Sequence, residues 1–191
     1  DLARQRVTEQ SRIGFLNEHF RSDRDIIGFS NERFYNGALE IMTDHERPES
    51  GESEPTAQLH FCEGVRSDAG INAVEADALI ERVRARLVEA RVVGDFPTIG
   101  ILSPFRNQVD HLRKQLETSL EDWEWAALHG KHQLAIGTAH TFQGEERDVM
   151  FLSFTVDSCS NHSTMRFLQR PDVFNVSITR ARHKQHVFLS R

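Results

Sequence analysis

"GTAHTFQGEERDVMFLS", residues 137–153, decides how this chain is read. Its second half, extended to "RDVMFLSFTV", is a nearly continuous apolar run behind a charged pair. That is the pattern of a strand covered by helices on both faces, not of one with a wet side. Its first half, with the preceding "QLAI", reads as another strand that ends in a polar, glycine-bounded turn.

Outward from this stretch the same alternation continues. "TIGILSPF" (98–105) is a short apolar run that stops at Ser-Pro. "FRNQVDHLRKQL" then places Phe105, Val109, Leu112 and Leu116 on one helical face. Ser103 is the expected N-cap and Pro104 the first helical residue, a cap contributing ~1 kcal/mol. "NAVEADALIERVRARLVEA" (72–90) spaces Val74, Leu79, Val83 and Leu87 as a helix, with Asn72 and Glu75 placed for a capping box. "QLHFCEG" (58–64) alternates as a strand closed by Gly64, and "RDIIGFSNERFYNGAL" (24–39) reads as a short helix with a turn at Asn36 and Gly37. "NVSITRAR" (175–182) reads as a short, partly apolar helix ending in Arg180 and Arg182, and "KQHVFLS" (184–190) as the last strand.

Strands and helices in this order predict an α/β fold, a mostly parallel central sheet with helices on both faces. Ligands of such sheets collect at the carboxyl ends of the strands. Three polar clusters are expected at that edge: "SPFRNQ", "GTAHTFQGEERD" and "ITRAR".

Composition sets the outer limits. The 191 residues are 38% apolar and 27% charged, which suits one globular domain spanning 1–191. A net charge of −6 argues against coating nucleic acid over the whole surface and leaves room for a local groove. "TDHERPESGESEPT" (43–56) carries five acids and one Arg, so 43–57 is expected to be an exposed, mobile acidic loop. Residues 161–191 carry six Lys or Arg against Asp172 alone, which makes this end the better anion binder. Cys62 and Cys159 are too few for a disulfide framework, so a reducing, cytoplasmic setting is the default. No stretch approaches the ~20 apolar residues of a membrane span. Ten His include the pairs of "HGKH" (129–132) and "HKQH" (183–186), but without clustered Cys or HExxH these are expected to face solvent or sit in strands, and no metal site is expected.

Four segments, in order, resemble the second RecA-like domain of superfamily 1 helicases, in the branch that includes the nonsense-mediated-decay helicase and senataxin. "LNEHFRSDRDIIGFSNERFYNGAL" is similar to the family's Q-Y-R segment, although "RSDR" stands where the family continues R-M-H-P. "GILSPFRNQVDHL" resembles motif IV, "GTAHTFQGEERDVMFLS" motif V and "FNVSITRARHKQHVF" motif VI. "TFQGEERDV" followed some 30 residues later by "NVSITRAR" is the specific part of the match, which runs over roughly residues 12 to 190.

The resemblance implies a RecA-like three-layer fold and a role for the paired arginines. An arginine finger raises phosphoryl transfer by ~10³ to 10⁵, whereas a surface salt bridge contributes ~0 to 1 kcal/mol. By resemblance Arg180 is the motif VI finger on the γ-phosphate and Arg21 a second cation on the same group. Arg182 is the structural or interdomain partner. Phe20 stands where the family carries an adenine-stacking Tyr, or is a core Phe. Glu146, with Gly144, is the motif V element facing the nucleotide. Ser103, Pro104, Phe105, Thr138 and His140 are the candidates for gripping single-stranded DNA or RNA. Phe105 equally fits the core stripe of its helix.

A phosphate cradle of the form G-x-x-x-x-G-K-[ST] is not found: the one Gly-Lys pair, Gly130-Lys131, is followed by His132. In the family that cradle and the Mg²⁺-holding acids belong to the first RecA-like domain. The start "DLARQRVTEQ" has no initiating Met, so the chain is expected to be a monomeric piece of a longer protein that holds ATP and Mg²⁺ on the preceding domain. By itself it is expected to be inactive. A non-catalytic nucleic-acid or protein interaction module of the same fold is the alternative.

Overall fold

The run that opened the sequence analysis forms a strand with two dry faces. Val149 and Phe151 point to one side and Met150 and Leu152 to the other, all essentially inaccessible, as the two-residue period of a strand requires. The structure, a computed structural model, describes residues 17–43 and 55–190. The acidic loop expected over 43–57 falls mostly on 44–54, outside the described residues. At its margins Thr43 donates its hydroxyl to the Ser22 carbonyl at 2.5 Å, and Ala57 already belongs to a strand.

In chain order the elements are β1 (Glu18–His19), α1 (Arg24–Tyr35), β2 (Glu40–Ile41), β3 (Ala57–Cys62), α2 (Ala73–Val93), β4 (Ile99–Leu102), α3 (Arg106–Ser119), α4 (Asp122–Gly130), β5 (Ala135–Gly137), β6 (Arg147–Ser153), α5 (His162–Leu168), α6 (Pro171–Ile178) and β7 (Ala181–Ser190). Five strands form one sheet in the order β3-β7-β6-β4-β5, with every pair parallel. β1 and β2 form a separate parallel pair.

Each face has its own core. On one, Leu79, Val83 and Leu87 of α2, Leu112 and Leu116 of α3 and Leu128 of α4 pack on Ile99, Ile101, Val149, Phe151 and Phe188. On the other, Ile26 of α1, Leu168 of α5 and Ile178 of α6 pack on Leu102, Met150, Leu152 and Val187, together with Phe142 from the β5–β6 loop. Each such side chain contributes about 1.5–3 kcal/mol relative to exposure. The two-sided α/β sheet predicted from the sequence is the observed fold.

Local expectations were corrected in five places. The helix expected over 175–182 ends at Ile178, so Arg180 lies beyond it and Arg182 is within β7. Val74 is 47% exposed and not part of the α2 stripe, because five residues before Leu79 lies about 140° round the helix. The α2 stripe is instead Ala76, Leu79, Ile80, Val83, Leu87 and Ala90. The capping box is half formed: Asn72 Oδ1 accepts from the Glu75 N–H at 3.1 Å, but the Glu75 carboxylate turns inward to Ser153 and Thr155. Ser103 is not the N-cap of α3, which starts at Arg106 with Phe105 in the cap position. The Ser103 hydroxyl accepts from the Phe105 N–H at 3.2 Å, closing a turn two residues on instead of a helix cap three residues on. His132 is neither solvent-facing nor in a strand; it is buried, with Nδ1 2.7 Å from the Pro97 carbonyl.

Candidate functional site

The strand polarity separates two surfaces that the sequence reading had merged. β4, β5 and β6 end at Leu102, Gly137 and Ser153, so "SPFRNQ" and the start of the motif V loop do lie at the carboxyl edge. Arg180 comes just before β7, and Glu146 just before β6, so these stand at the amino edge. "ITRAR" is therefore corrected to the opposite edge: a residue preceding a parallel strand cannot lie at its carboxyl end.

At the amino edge the chain is held by backbone contacts. The Arg147 N–H donates to the Arg180 carbonyl at 3.1 Å, and the Asp23 N–H to the Arg182 carbonyl at 3.0 Å. These bring three distant segments together. Arg21 Nε donates to Glu146 Oε2 at 2.5 Å. Arg182 donates from Nε to Glu146 Oε1 at 2.9 Å, makes a second contact to the same oxygen through Nη2, and reaches Asp148 Oδ1 through Nη1 at 3.4 Å. Arg180 donates from Nε to the Val176 carbonyl at 3.1 Å and from Nη1 to the Glu145 carbonyl at 3.4 Å. Among the described residues Arg180 makes no ion pair, and Arg21 Nη1 and Nη2 have no hydrogen-bond partner.

The electrostatics follow from this crowding. Burial, and then the charge of Arg21, lower Arg180 from its ordinary value, with Glu146 acting the other way. Burial pushes the Glu146 carboxyl up, but the hydrogen bonds and charges of Arg182 and Arg21 outweigh it and hold the group below the usual range. The hydrogen bond to Glu146 raises Arg182. Glu146 and Arg182 thus hold each other ionised.

Phe20, next to Arg21, is 66% exposed, so it is not a core residue. With Glu18, His19, Arg21 and Glu146 it lines a pocket of about 380 Å³. Gly144 is exposed with φ at 86°, a left-handed turn that glycine adopts without strain.

The carboxyl edge is built differently. Ser103 and Pro104 are buried; of the motif IV trio only Phe105 keeps exposed surface. Thr138 is half-buried and His140 exposed. Gly137 packs so closely that a Cβ there would meet the Thr141 side chain at 2.5 Å. Two residues that the sequence reading missed stand beside Phe105: the Arg66 guanidinium lies 4.1 Å over its ring, and Phe167 is 5.6 Å away between centroids. Neither belongs to a motif; Arg66 had one local cue, its place just after a strand closed by Gly64.

Beneath this edge lies a buried polar network. Glu75 Oε1 accepts from the Ser153 hydroxyl at 2.7 Å and the Thr155 N–H at 2.8 Å, and among the described residues Oε2 has no partner. Asn72 donates to Ser190 Oγ at 2.8 Å, and Gln108 donates to the Asn72 carbonyl and to Ser153 Oγ, both at 3.0 Å. Burial, opposed by the hydrogen bonds from Thr155, Ser153 and Phe154, pushes Glu75 up to about 7. Among the described residues no group of three or more His, Cys, Asp or Glu could hold a metal ion. Both Cys62 and Cys159 are free thiols.

Comparison with known proteins bears on the family and the fold. Residues 2–190 match the AAA domain family. The chain is 29% identical over 197 residues to a Gallus gallus protein named "Putative helicase MOV-10", covering 86% of this chain and 19% of that protein. It is 28% identical over 181 residues to the Takifugu rubripes "Putative regulator of nonsense transcripts 1", covering 88% of this chain and 16% of that one. The chain thus spans less than a fifth of the length of these relatives. The crystal structure of the C-terminal domain of a possible DNA helicase from Lactobacillus plantarum superposes with a TM-score of 0.51 at 14% identity, covering 90% of this chain and 87% of that one, a likeness of fold alone. The chain belongs to the AAA domain family.

Proposed function

We propose that this domain closes Arg180 and Arg21 over the γ-phosphate of ATP held on the first RecA-like domain of the same parent chain, and grips single-stranded DNA or RNA at its carboxyl edge. One observation carries the reading: two arginines from opposite ends of the sequence meet at one edge. Among the described residues Arg21 is docked by its Nε alone, which leaves both Nη groups for an anion. A non-catalytic module has no use for two cations held in this way.

Bound ATP supplies the phosphoryl transfer, and Mg²⁺ belongs with it on the first domain. The residues present fit the phosphate side of such a site. Arg180 and Arg21 place positive charge where negative charge accumulates during transfer, which is the main source of acceleration in this reaction class. Phe20 offers an exposed aromatic face for adenine in the pocket that Glu146 also lines, and Gly144 belongs to the turn just before Glu146. At the far edge Phe105, Thr138 and His140 supply the ring, hydroxyl and imidazole for sequence-tolerant contact, and Ser103 and Pro104 support the turn that presents Phe105. Alternate closing and opening of the interdomain cleft shifts the grip on the strand, turning hydrolysis into translocation and unwinding. The free thiols fit an intracellular setting.

The test is Arg180→Ala in the complete parent chain. ATP turnover falls by ~10³-fold or more, while circular dichroism and the melting temperature stay at the parent's values. Undiminished turnover would refute the reading.

A further inference from the structure

We infer that Arg182 is a positioning residue for phosphoryl transfer: it anchors Glu146, and through Glu146 it sets where the Arg21 guanidinium sits. This rests on the arginine-finger reading above and deepens it.

The two oxygens of Glu146 are divided between two arginines. Oε1 takes two contacts from Arg182, and Oε2 takes the Nε of Arg21. The Arg182 side is rooted in the sheet. Arg182 lies within β7, and its Nη1 reaches Asp148 at the start of β6. Asp148 is in turn fixed by Thr98, just before β4, whose N–H and hydroxyl donate to Oδ2 at 2.8 and 2.7 Å. Three neighbouring strands therefore brace one face of the carboxylate.

Arg21 has no such bracing of its own. It lies in the short link between β1 and α1 and, among the described residues, its side chain makes a single hydrogen bond. The Arg182 carbonyl also holds the Asp23 N–H, two residues past Arg21, so the backbone of this link is already docked on β7. That backbone contact survives any substitution at 182. Changing the side chain isolates the carboxylate link.

Position matters because a displacement of about 1 Å in a catalytic group can cost ~10²-fold in rate. Stability depends on it far less. Arg182 is 42% exposed, and partly exposed pairs contribute little to folding. A residue that matters for rate and hardly for folding is what separates positioning from ordinary surface pairing.

The experiment is a rate cycle in the complete parent chain, with Arg182→Gln, Arg182→Lys, Arg21→Lys and the Arg182→Gln, Arg21→Lys double variant. Arg182→Gln is expected to lower kcat for ATP about tenfold, with KM and melting temperature near the parent's. Arg182→Lys, which keeps a charge but not the fork, should fall between. The double variant should be no slower than Arg21→Lys. The acid limb of the pH–rate profile should move to higher pH in Arg182→Gln, because Glu146 loses a cation that holds it ionised. Losses that multiply, a change confined to KM, or parental turnover in Arg182→Gln would each overturn the inference. If Arg182→Gln melts early, the same cycle run with Arg182→Lys decides. The parent reading fails separately: a fully active Arg180→Ala sinks both, whereas an inactive Arg180→Ala beside an unaffected Arg182→Gln sinks only this one.

Discussion

The two edges of the sheet solve opposite problems. At the amino edge Arg21, Glu146 and Arg182 are 35%, 28% and 42% exposed, so water shares the cost of keeping three charges together. At the carboxyl edge Asn72, Glu75, Gln108, Ser153 and Thr155 are all fully buried, and the one carboxyl among them is driven toward its neutral form. Thr155 is also held at φ 55°, a strained conformation for a β-branched residue that the network around it must hold in place. One edge is built to stay ionised and offer N–H groups outward. The other is a stiff, nearly uncharged platform on which surface groups are mounted.

If that division is right, substitutions at the two edges separate into different assays. The largest effect is Arg180→Ala, which removes turnover but leaves affinity for single-stranded nucleic acid, measured without nucleotide, within about threefold, since the arginine stands at the edge opposite the one proposed to bind the strand. Loss of both together would show that the edges are not independent, and the comparison would break there.

The next effect in size belongs to the buried carboxyl. Glu75 is raised in the folded state to about 7 from an ordinary value near 4.5. For a raised acid the folded protein holds its proton longer than the unfolded chain. Stability is therefore complete below the unfolded value and declines as pH rises toward 7, by on the order of 3 kcal/mol in all. Glu75→Gln keeps the shape and the acceptor for Ser153 and Thr155 but cannot ionise. Melts of the two proteins from pH 4.5 to 8 should coincide at the acid end and separate steadily, with Glu75→Gln the more stable at pH 8. Parallel curves would mean that the carboxyl is not paying a burial penalty.

How much of this was legible in the sequence depends on the kind of signal. The apolar run from Val149 to Leu152 announced a strand dry on both faces, and the α/β sheet followed from it. Arg21, Arg180 and Glu146 were findable because each sits in a motif, yet composition and periodicity alone would have left them as surface charges. Arg180 and Glu146 were expected at the carboxyl edge because order along the chain does not fix the direction of a strand in space. Arg180 precedes β7 and Arg182 lies at its start, and only parallel pairing with β6 sends them to the amino side. Other features were invisible for a physical reason. The turn of Glu75 away from its cap depends on Ser153 and Thr155, about 80 residues further on. The division of Glu146 between Arg21 and Arg182 needs partners 125 and 36 residues away. No local pattern encodes such pairs.

The smallest effect tests whether the carboxyl edge grips a strand at all. Phe105 keeps exposed surface, but its ring is already engaged, with Arg66 4.1 Å over its face and Phe167 to one side. A base that stacks on this ring must share it with the guanidinium or displace it. The gain from the ring is therefore at the low end of the ~1–3 kcal/mol found for base–aromatic stacking. Phe105→Ala in the parent chain should weaken single-stranded nucleic acid about five- to tenfold and leave ATP turnover without nucleic acid unchanged. Arg66→Gln sharpens the point, because it removes a cation while freeing the ring. If phosphate contact dominates, Arg66→Gln weakens binding and flattens its salt dependence by about one ion. If stacking dominates, affinity is kept and salt dependence barely moves. Should both variants bind as the parent does, the strand does not pass over Phe105, and the carboxyl edge keeps only Thr138 and His140 with which to hold it.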